Sequence, residues 1–298
     1  MQRITYYYYI ASIVTLLVLS QSAYCQKKIF LRDADSKNPV EYANVFVGNV
    51  VYYTDKDGSV DIPDETSQIK ISHICYKDTM VMLSQVIQNV VSLSPKAYDI
   101  PEIVVGKPKF HKQRYVGLPM KKESLYFGGR SGMSVGVYLP YQDDYEGKAI
   151  SGIIADLYDA KTIGVYDQKE KVVLRFDLRL PDADTKAPSD YSLIEGGILY
   201  DGKSGRRTSI PLEYPISFPR QGIYVVIEWM VEGECKTNVL YNPHLRMSKS
   251  DKPSVSWDKK AYIQQGWTSW DEDKALEQFK SSLQTESLNA NVGLLLYE

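Results

Sequence analysis

ANVFVGNVVYYTDKDGSVDI, residues 43–62, is the stretch that decides the fold. It contains three short runs rich in β-branched and aromatic residues, at 43–47, 50–54 and 59–62, with turn residues between them. Such runs predict strands. In the turn Lys56-Asp57-Gly58, glycine supplies the positive φ that a tight hairpin requires. The stretch therefore predicts short strands joined by tight turns.

The same pattern continues along most of the chain. Further strands are predicted in the N-terminal part at 28–31, 68–73, 79–83, 90–93 and 103–105. Strands are predicted in the C-terminal part at 134–139, 149–158, 172–180, 193–200, 207–210, 223–228, 237–241 and 291–297. Residues 271–283 alone have helical cues, with Asp271 at the start and Leu276, Phe279 and Leu283 on one face. The fold class predicted is all-β, with two β-sandwich domains, the second jelly-roll-like.

The order of these segments predicts the domain organisation. We expect a signal peptide at 1–25, a first sandwich at 26–105, a linker at 106–123 and a second sandwich at 124–298. The predicted linker is rich in proline and lysine, including Pro108, Pro119, Lys112 and Lys121.

The charge balance excludes several classes of function. The chain has 35 Lys and Arg residues against 37 Asp and Glu residues. This balance gives no electrostatic reason for binding nucleic acid or an anionic membrane.

The N-terminus has the features of an export signal. Arg3 precedes an apolar run from Ile10 to Leu19, which is about half the length that a membrane-spanning helix needs. Ala23 and Cys25 then form a small-x-small cleavage site, so we expect Gln26 to be the new N-terminus. An uncleaved anchor is the alternative.

Two cysteines, Cys75 and Cys235, follow the predicted signal. They fall in different predicted domains, and we expect two small buried apolar side chains rather than a disulfide. The sequence contains no CxxC motif, so neither a zinc ribbon nor thioredoxin chemistry is indicated.

Four phrases in the N-terminal domain carry a family resemblance. They are PVEYANV at 39–45, TDKDGSVDIP at 54–63, ISHICYK at 71–77 and IPEIVV at 100–105. In this order they resemble the carboxypeptidase-regulatory-like domains, transthyretin-like sandwiches that often extend TonB-dependent outer-membrane receptors of Gram-negative bacteria. Cys75 departs from the glycine usual in that family, and Ser59 precedes Val60 where an aromatic residue is common.

The resemblance implies a non-catalytic domain in the periplasm or at the outer membrane or cell surface. The regulatory-like domain is the non-catalytic part of the carboxypeptidases, and their zinc peptidase domain has no counterpart in this sequence. In receptors such a domain can pair through a strand edge, which here would be residues 103–105. Closure of the sandwich by that strand is the simpler interpretation. The chain has too few long alternating strands for a receptor barrel.

A phosphate-binding motif occurs in GILYDGKSG, residues 197–205. Such a loop joins a strand to a helix whose N-terminal amides face the phosphates. Here the following residues are rich in proline and in β-formers, and Asp201-Gly202 is a hairpin signal. We therefore predict that the chain binds no nucleotide.

A second motif, GMSVG at 132–136, matches the nucleophile elbow of α/β-hydrolases. The residues after Ser134 are strand-like and end at Pro140, so no helix can support an elbow. His244 is the histidine available downstream for a triad, without a recognisable carboxylate partner. A hydrolase remains an alternative, and we predict no catalytic residues.

No metal or cofactor is predicted either. The loop around Gly58 places aspartates at calcium-like positions, but Tyr53 stands at the first position and strands flank the loop. His73, His111 and His244 are too far apart in sequence to form a zinc motif.

Aromatic residues near the C-terminus suggest one binding surface. Trp257, Tyr262, Trp267 and Trp270 lie close together in sequence, and exposed rings can hold sugar faces, although core packing explains them equally well. We therefore predict a non-enzymatic exported envelope protein that binds an envelope protein or a glycan. The alternatives are a carbohydrate-binding module built on the second sandwich and an uncharacterised hydrolase.

Overall fold

The computed structural model describes residues 26–96, 112–118, 120, 125–160, 172–201, 204–236 and 238–298. The predicted signal peptide, the predicted strand at 103–105, His111 and Lys203 lie outside these ranges. Within them the chain is built almost entirely of strands, with one α-helix, which confirms the all-β prediction. None of the helices in these ranges has the length and apolarity of a membrane span.

Strands occur along the whole described chain. The N-terminal strands are β1 (Gln26–Asp33), β2 (Asn44–Val47), β3 (Val50–Tyr53), β4 (Ser59–Pro63), β5 (Gln68–His73), β6 (Tyr76–Met82) and β7 (Val90–Leu93). The C-terminal strands are β8 (Gln113–Gly117), β9 (Leu125–Gly129), β10 (Met133–Leu139), β11 (Ala149–Ala155), β12 (Leu157–Tyr158), β13 (Val172–Pro181), β14 (Pro188–Ser192), β15 (Ile198–Tyr200), β16 (Thr208–Ser217), β17 (Ile223–Val231), β18 (Gly233–Glu234), β19 (Tyr241–Ser250), β20 (Ser256–Lys260), β21 (Gln265–Ser269), β22 (Ser287–Ala290) and β23 (Val292–Tyr297).

The N-terminal sandwich packs a three-stranded sheet, β4-β1-β7, against a five-stranded sheet, β18-β3-β2-β5-β6. Aliphatic side chains from both sheets, such as Ile29 and Val45, fill the core between them. Gly58 closes the predicted hairpin with a φ of +66°. A Cβ at Gly58 would lie 2.6 Å from the carbonyl oxygen of Leu31, so glycine alone fits this turn.

The C-terminal sandwich is larger. A seven-stranded sheet has the order β14-β13-β17-β10-β20-β21, with β15 also paired to β13. It shares one apolar core with two four-stranded sheets, β16-β11-β23-β8 and β12-β19-β22, the latter with β9 on β19. This arrangement confirms the sandwich prediction for the C-terminal part.

The helix α1 (Lys274–Ser282) falls within the predicted helical segment. The Asp273 carboxylate caps it by accepting hydrogen bonds from the backbone amides of Ala275 and Leu276. Leu276 packs against the core, but Phe279 is exposed. The sequence grouped Phe279 with Leu276 on one face, but in the structure Phe279 is exposed while Lys280 is buried.

Several predicted segments differ from the observed strands, and two of the differences are informative. Residues 193–200 are predicted as one strand, but residues 193–197 form a turn before β15, because Gly196 and Gly197 have φ values of +72° and +68°. Residues 113–117, within the predicted linker, form β8, which pairs with β23.

The two sandwiches are joined directly. Strand β18 leaves the C-terminal sandwich and pairs with β3 of the N-terminal one. A junction cluster of buried side chains packs beside it and is made of Tyr42, Val51, Tyr53, Met133, Val173, Met230, Cys235 and Tyr262. Both cysteines of the described chain are free, and Cys75 is half-buried rather than buried.

Candidate functional site

A cleft of about 1120 Å³ lies between the two sandwiches. One wall is the outer face of the five-stranded N-terminal sheet and carries Phe46 and Lys70. The other wall is the outer face of the seven-stranded sheet and carries Ser134, Lys259 and Trp267. The cleft therefore forms where residues far apart in sequence meet.

The N-terminal wall follows from the alternation of its strands. Val45 on β2 enters the core, so Asn44 and Phe46 point toward the cleft. On β5, Ile71 also enters the core, and the pairing with β6 shifts register between Ile71 and His73. Because such a bulge re-aims the next side chain, His73 faces the cleft instead of the core.

The C-terminal wall carries a polar row across four strands. Arg175 on β13 lies opposite Glu228 on β17, which lies opposite Ser134 on β10. Ser134 in turn lies opposite Lys259 on β20. Directly paired residues share one face of a sheet, so the four side chains point the same way.

Glu228 is the centre of a hydrogen-bond network that joins the two walls. Its carboxylate accepts a bond of 2.6 Å from the Tyr53 hydroxyl and one of 3.3 Å from Arg175 Nη1. Arg175 Nη2 donates to the carbonyl oxygen of Tyr42 at 3.1 Å. Because the side chains of Arg175 and Glu228 are 4% and 12% exposed, each charge depends on the other for compensation.

The network shifts the protonation equilibria of its neighbours. Burial, and then the Glu228 carboxylate, raise the pKa of Tyr53 well above its usual value. Burial, and then the positive charge of Arg175, hold the pKa of His73 well below its usual value. His73 Nε2 lies 3.4 Å from Arg175 Nη2, so protonation of His73 would place two cations side by side.

A second buried ion pair lies farther along β13. Arg179 Nε donates to one Asp177 carboxylate oxygen at 2.6 Å, and the Ser192 hydroxyl donates to the other at 2.6 Å. Burial raises the pKa of Asp177, while Arg179 and Ser192 oppose that shift. Strand β14, which pairs with β13, supplies Ser192 to this ion pair.

Three polar atoms around the cleft are left without partners. Asn44 Oδ1, Arg175 Nε and Trp267 Nε1 are buried and have no hydrogen-bond partner among the described residues. All three side chains line the cleft. Unsatisfied buried polar groups are uncommon and costly in folded proteins, and these three belong to side chains that line a cleft between two domains, which makes the cleft a candidate ligand site. Neighbouring atoms cover each of these three atoms, so a ligand would reach them through side-chain rearrangement.

Trp267, which lines the cleft, lies over a glycine of β10. A Cβ at Gly136 would come within 2.8 Å of Pro188 Cγ and 3.4 Å of Trp267 Cζ3. Gly136 therefore lets the two rings approach the backbone of β10.

The structure separates the four aromatic residues that the sequence grouped. Trp270 is fully buried in the C-terminal core and stacks on Phe127 at 4.9 Å between ring centroids. Tyr262 is buried in the junction cluster, and Trp257 is half-buried on β20. Of these four described residues, Trp267 alone lines the cleft. Trp270 and Tyr262 therefore have no exposed ring face to offer a ligand.

The two enzyme-like motifs lie in strands. Ser134 is inside β10, which pairs on both sides with β17 and β20, so no strand-to-helix elbow surrounds it. In the phosphate-loop motif, residues 198–200 form β15, and the next described element is β16. Gly197 is needed for packing, because a Cβ there would lie 2.9 Å from Arg175 Cγ.

The calcium-like loop is a hydrogen-bonded turn. The Asp55 carboxylate accepts bonds from the backbone amides of Asp57 and Ser59.

His244 is buried on β19, and burial lowers its pKa. Across the described ranges, no group of three His, Cys, Asp or Glu side chains is arranged to hold a metal ion.

Sequence reasoning did not select Arg175, Glu228 or His73 as members of one site. The one available signal is the segment RFDLRL at 175–180, in which charges of alternating sign occupy every second position of a strand. That pattern is also typical of a solvated face.

Comparison of the chain with protein-family models, with curated proteins and with solved structures gives no match.

Proposed function

We propose that this chain is a non-enzymatic binding protein of the cell envelope and that its ligand binds in the cleft between the two sandwiches. The observation that carries the proposal is the cleft itself, a space of about 1120 Å³ whose lining includes Asn44, Arg175 and Trp267, each with one buried polar atom that has no hydrogen-bond partner among the described residues. Ligand sites are typically concave, placed between domains and equipped with a few convergent polar groups.

Features of the sequence support the envelope location. Arg3, the apolar run from Ile10 to Leu19 and the small residues Ala23 and Cys25 favour export. The resemblance of residues 26–105 to carboxypeptidase-regulatory-like domains favours the periplasm or the outer membrane of a Gram-negative bacterium. The ligand class in that compartment is an envelope protein or a glycan.

The surroundings of Ser134 support binding rather than hydrolysis. A nucleophile elbow needs a sharp turn that exposes the serine and frees the next backbone amide for an oxyanion. Ser134 lies in a central strand whose backbone pairs on both sides. If purified protein shows a hydrolase activity that Ser134→Ala abolishes, the non-enzymatic proposal is wrong.

A cleft-filling variant tests the proposal. Ser134→Trp adds a large ring in the cleft, and Ser209→Trp adds the same ring on β16, at an exposed position outside the cleft lining. Each protein is incubated with fractionated envelope extract, and the captured protein, glycan and lipid are identified by mass spectrometry. We expect one component to be captured by wild type and Ser209→Trp and lost with Ser134→Trp. Equal capture by all three proteins would place the binding site elsewhere.

A further inference from the structure

The charges lining the cleft do not balance. Three of its cations are paired, Lys70 with Asp78 at 3.2 Å, Arg175 with Glu228 at 3.3 Å and Arg179 with Asp177 at 2.6 Å. The remaining lysines of the lining are Lys77, Lys96 and Lys259, and none of them forms an ion pair with a described residue. The cleft thus concentrates positive charge in a chain whose formal net charge is −2.

These lysines stand on opposite walls. Lys77 and Lys96 belong to adjacent segments of the N-terminal sandwich, where Lys96 N donates to the Cys75 carbonyl oxygen at 2.7 Å. Lys259 extends the polar row of the C-terminal wall, directly opposite Ser134. The remaining carboxylate of the lining, Asp190, interacts electrostatically with Arg179. An acidic ligand that spans the cleft would therefore meet ammonium groups on both walls.

The rest of the lining combines a ring with neutral polar groups. Trp267 lies over Gly136, next to Ser134, whose hydroxyl has no hydrogen-bond partner among the described residues. These groups match the parts of a sugar acid. An aromatic ring packs against the apolar face of the sugar, polar side chains bond its hydroxyls, and ammonium groups pair with its carboxylate. At about 1120 Å³ the cleft also exceeds the usual size of pockets for single small molecules, roughly 300–1,000 Å³.

The C-terminal wall of the cleft is a poor site for an extended peptide. Strands β10, β13, β17 and β20 each pair on both sides, so their backbone groups are not available for strand addition. The edge strand β6 lies at the rim, where Lys77, Asp78 and Met80 line the opening. The C-terminal wall would therefore recognise a ligand through its side chains.

We propose that the cleft binds an acidic oligosaccharide. Lys96 and Lys259 hold its carboxylate or sulfate groups from opposite walls, and one sugar ring rests against Trp267. This inference rests on the proposed function, because it names the ligand class of the same cleft.

A glycan array tests the proposal with the purified protein. The array carries uronate-, sialate- and sulfate-bearing oligosaccharides beside neutral oligosaccharides of the same length, and a hexaglutamate peptide is titrated in parallel. We expect acidic glycans to bind at least about tenfold more tightly than their neutral counterparts, and to weaken as salt is raised. The double variant Lys96→Gln/Lys259→Gln and the single variant Trp267→Ala should each weaken binding by about tenfold or more.

Matched variants control for folding and for general charge. Lys56→Gln/Lys252→Gln removes two exposed lysines outside the cleft lining, and Tyr214→Ala removes a ring that is 62% exposed on β16. Both should bind like wild type, and all variants should melt cooperatively, near the wild-type temperature.

Each other result has a defined meaning. Equal binding of neutral and acidic glycans, or full binding by the double lysine variant, overturns the acidic-glycan proposal. Lysine-dependent binding of hexaglutamate without any glycan overturns it in favour of an acidic peptide. If no array member binds while Ser134→Trp still abolishes capture from envelope extract, this inference fails and the proposed function stands. If Ser134→Trp has no effect on capture, both fail.

Discussion

The two faces of strand β13 are buried in opposite ways. On one face, Phe176 and Leu178 pack into the apolar core of the C-terminal sandwich. On the other, Arg175, Asp177 and Arg179 lie under the N-terminal sandwich and the β13–β14 hairpin, where ion pairs compensate their charges. The strand shows that burial does not require apolar side chains when a second layer supplies specific partners.

The difference predicts different sensitivities to substitution. An apolar face is stabilised by the area that it buries, which depends on size and shape. A buried charged face depends on each partner being present, because removal of one leaves the other charge uncompensated.

The largest loss should come from the apolar face. Phe176→Ala removes a ring that is fully buried and should lower the free energy of unfolding by about 3–5 kcal/mol. Urea denaturation followed by circular dichroism measures this loss. Phe279→Ala is the matched control, because Phe279 is exposed and its loss should stay below about 1 kcal/mol. Similar losses of unfolding free energy at both positions would contradict the placement of Phe176 in the core and of Phe279 at the surface.

A smaller but specific loss should come from the charged face. Glu228→Gln leaves Arg175 without its carboxylate and should cost about 3 kcal/mol of unfolding free energy. In a double-mutant cycle with Arg175→Met, the two substitutions should cost less together than the sum of their separate losses. Additive losses would show that the two side chains do not stabilise each other.

Acidification should destabilise the junction through His73. Its pKa in the folded protein is lowered from 6.5, so as pH falls below about 6.5 the unfolded chain takes up the proton first. Stability is therefore present above that pH and decreases below it, with a slope approaching about 1.4 kcal/mol per pH unit. Denaturation of wild type and His73→Gln between pH 7.5 and 5 isolates this contribution. If the free energy of unfolding depends on pH in the same way for both proteins, this prediction is wrong.

The smallest effect should come from Lys259, which faces the cleft without an ion-pair partner among the described residues. Lys259→Gln should change the free energy of unfolding by no more than about 0.5 kcal/mol. Lys280→Gln makes the comparison, because Lys280 is buried and its ammonium donates to the Trp270 carbonyl oxygen at 3.4 Å. A large loss for Lys259→Gln would mean that this lysine supports the fold instead of a ligand.

Much of the fold follows from local patterns. The strands around the Gly58 hairpin lie where alternation and turn residues predict them, and helix α1 lies within the predicted segment, although Asp273 caps it instead of Asp271. Strands β9, β20 and β21 are missed, because their sequences lack a clear alternation of apolar and polar residues. The exposure of Phe279 is missed too, since the buried face of a helix is set by what packs against it.

The candidate site is less accessible to such reasoning. In the sequence, Ser134 belongs to a nucleophile-elbow motif and Trp267 to a group of C-terminal aromatic residues. The structure brings them together because both lie on the outer face of the seven-stranded sheet, which lines the cleft. Trp270 belonged to the same aromatic group in sequence but lies in the core. Proximity in sequence could not decide which side of the sheet each ring would face.

The sequence by itself determined the β-rich character, the sandwich class and the turns, because these depend on residues within a few positions of one another. Tertiary structure alone decided the cleft and its charge network. The Tyr53–Glu228 hydrogen bond joins residues 175 positions apart, and Arg175 and His73 are 102 positions apart. No local pattern specifies such pairs, since a charged strand face has the same sequence whether water or a second sandwich covers it.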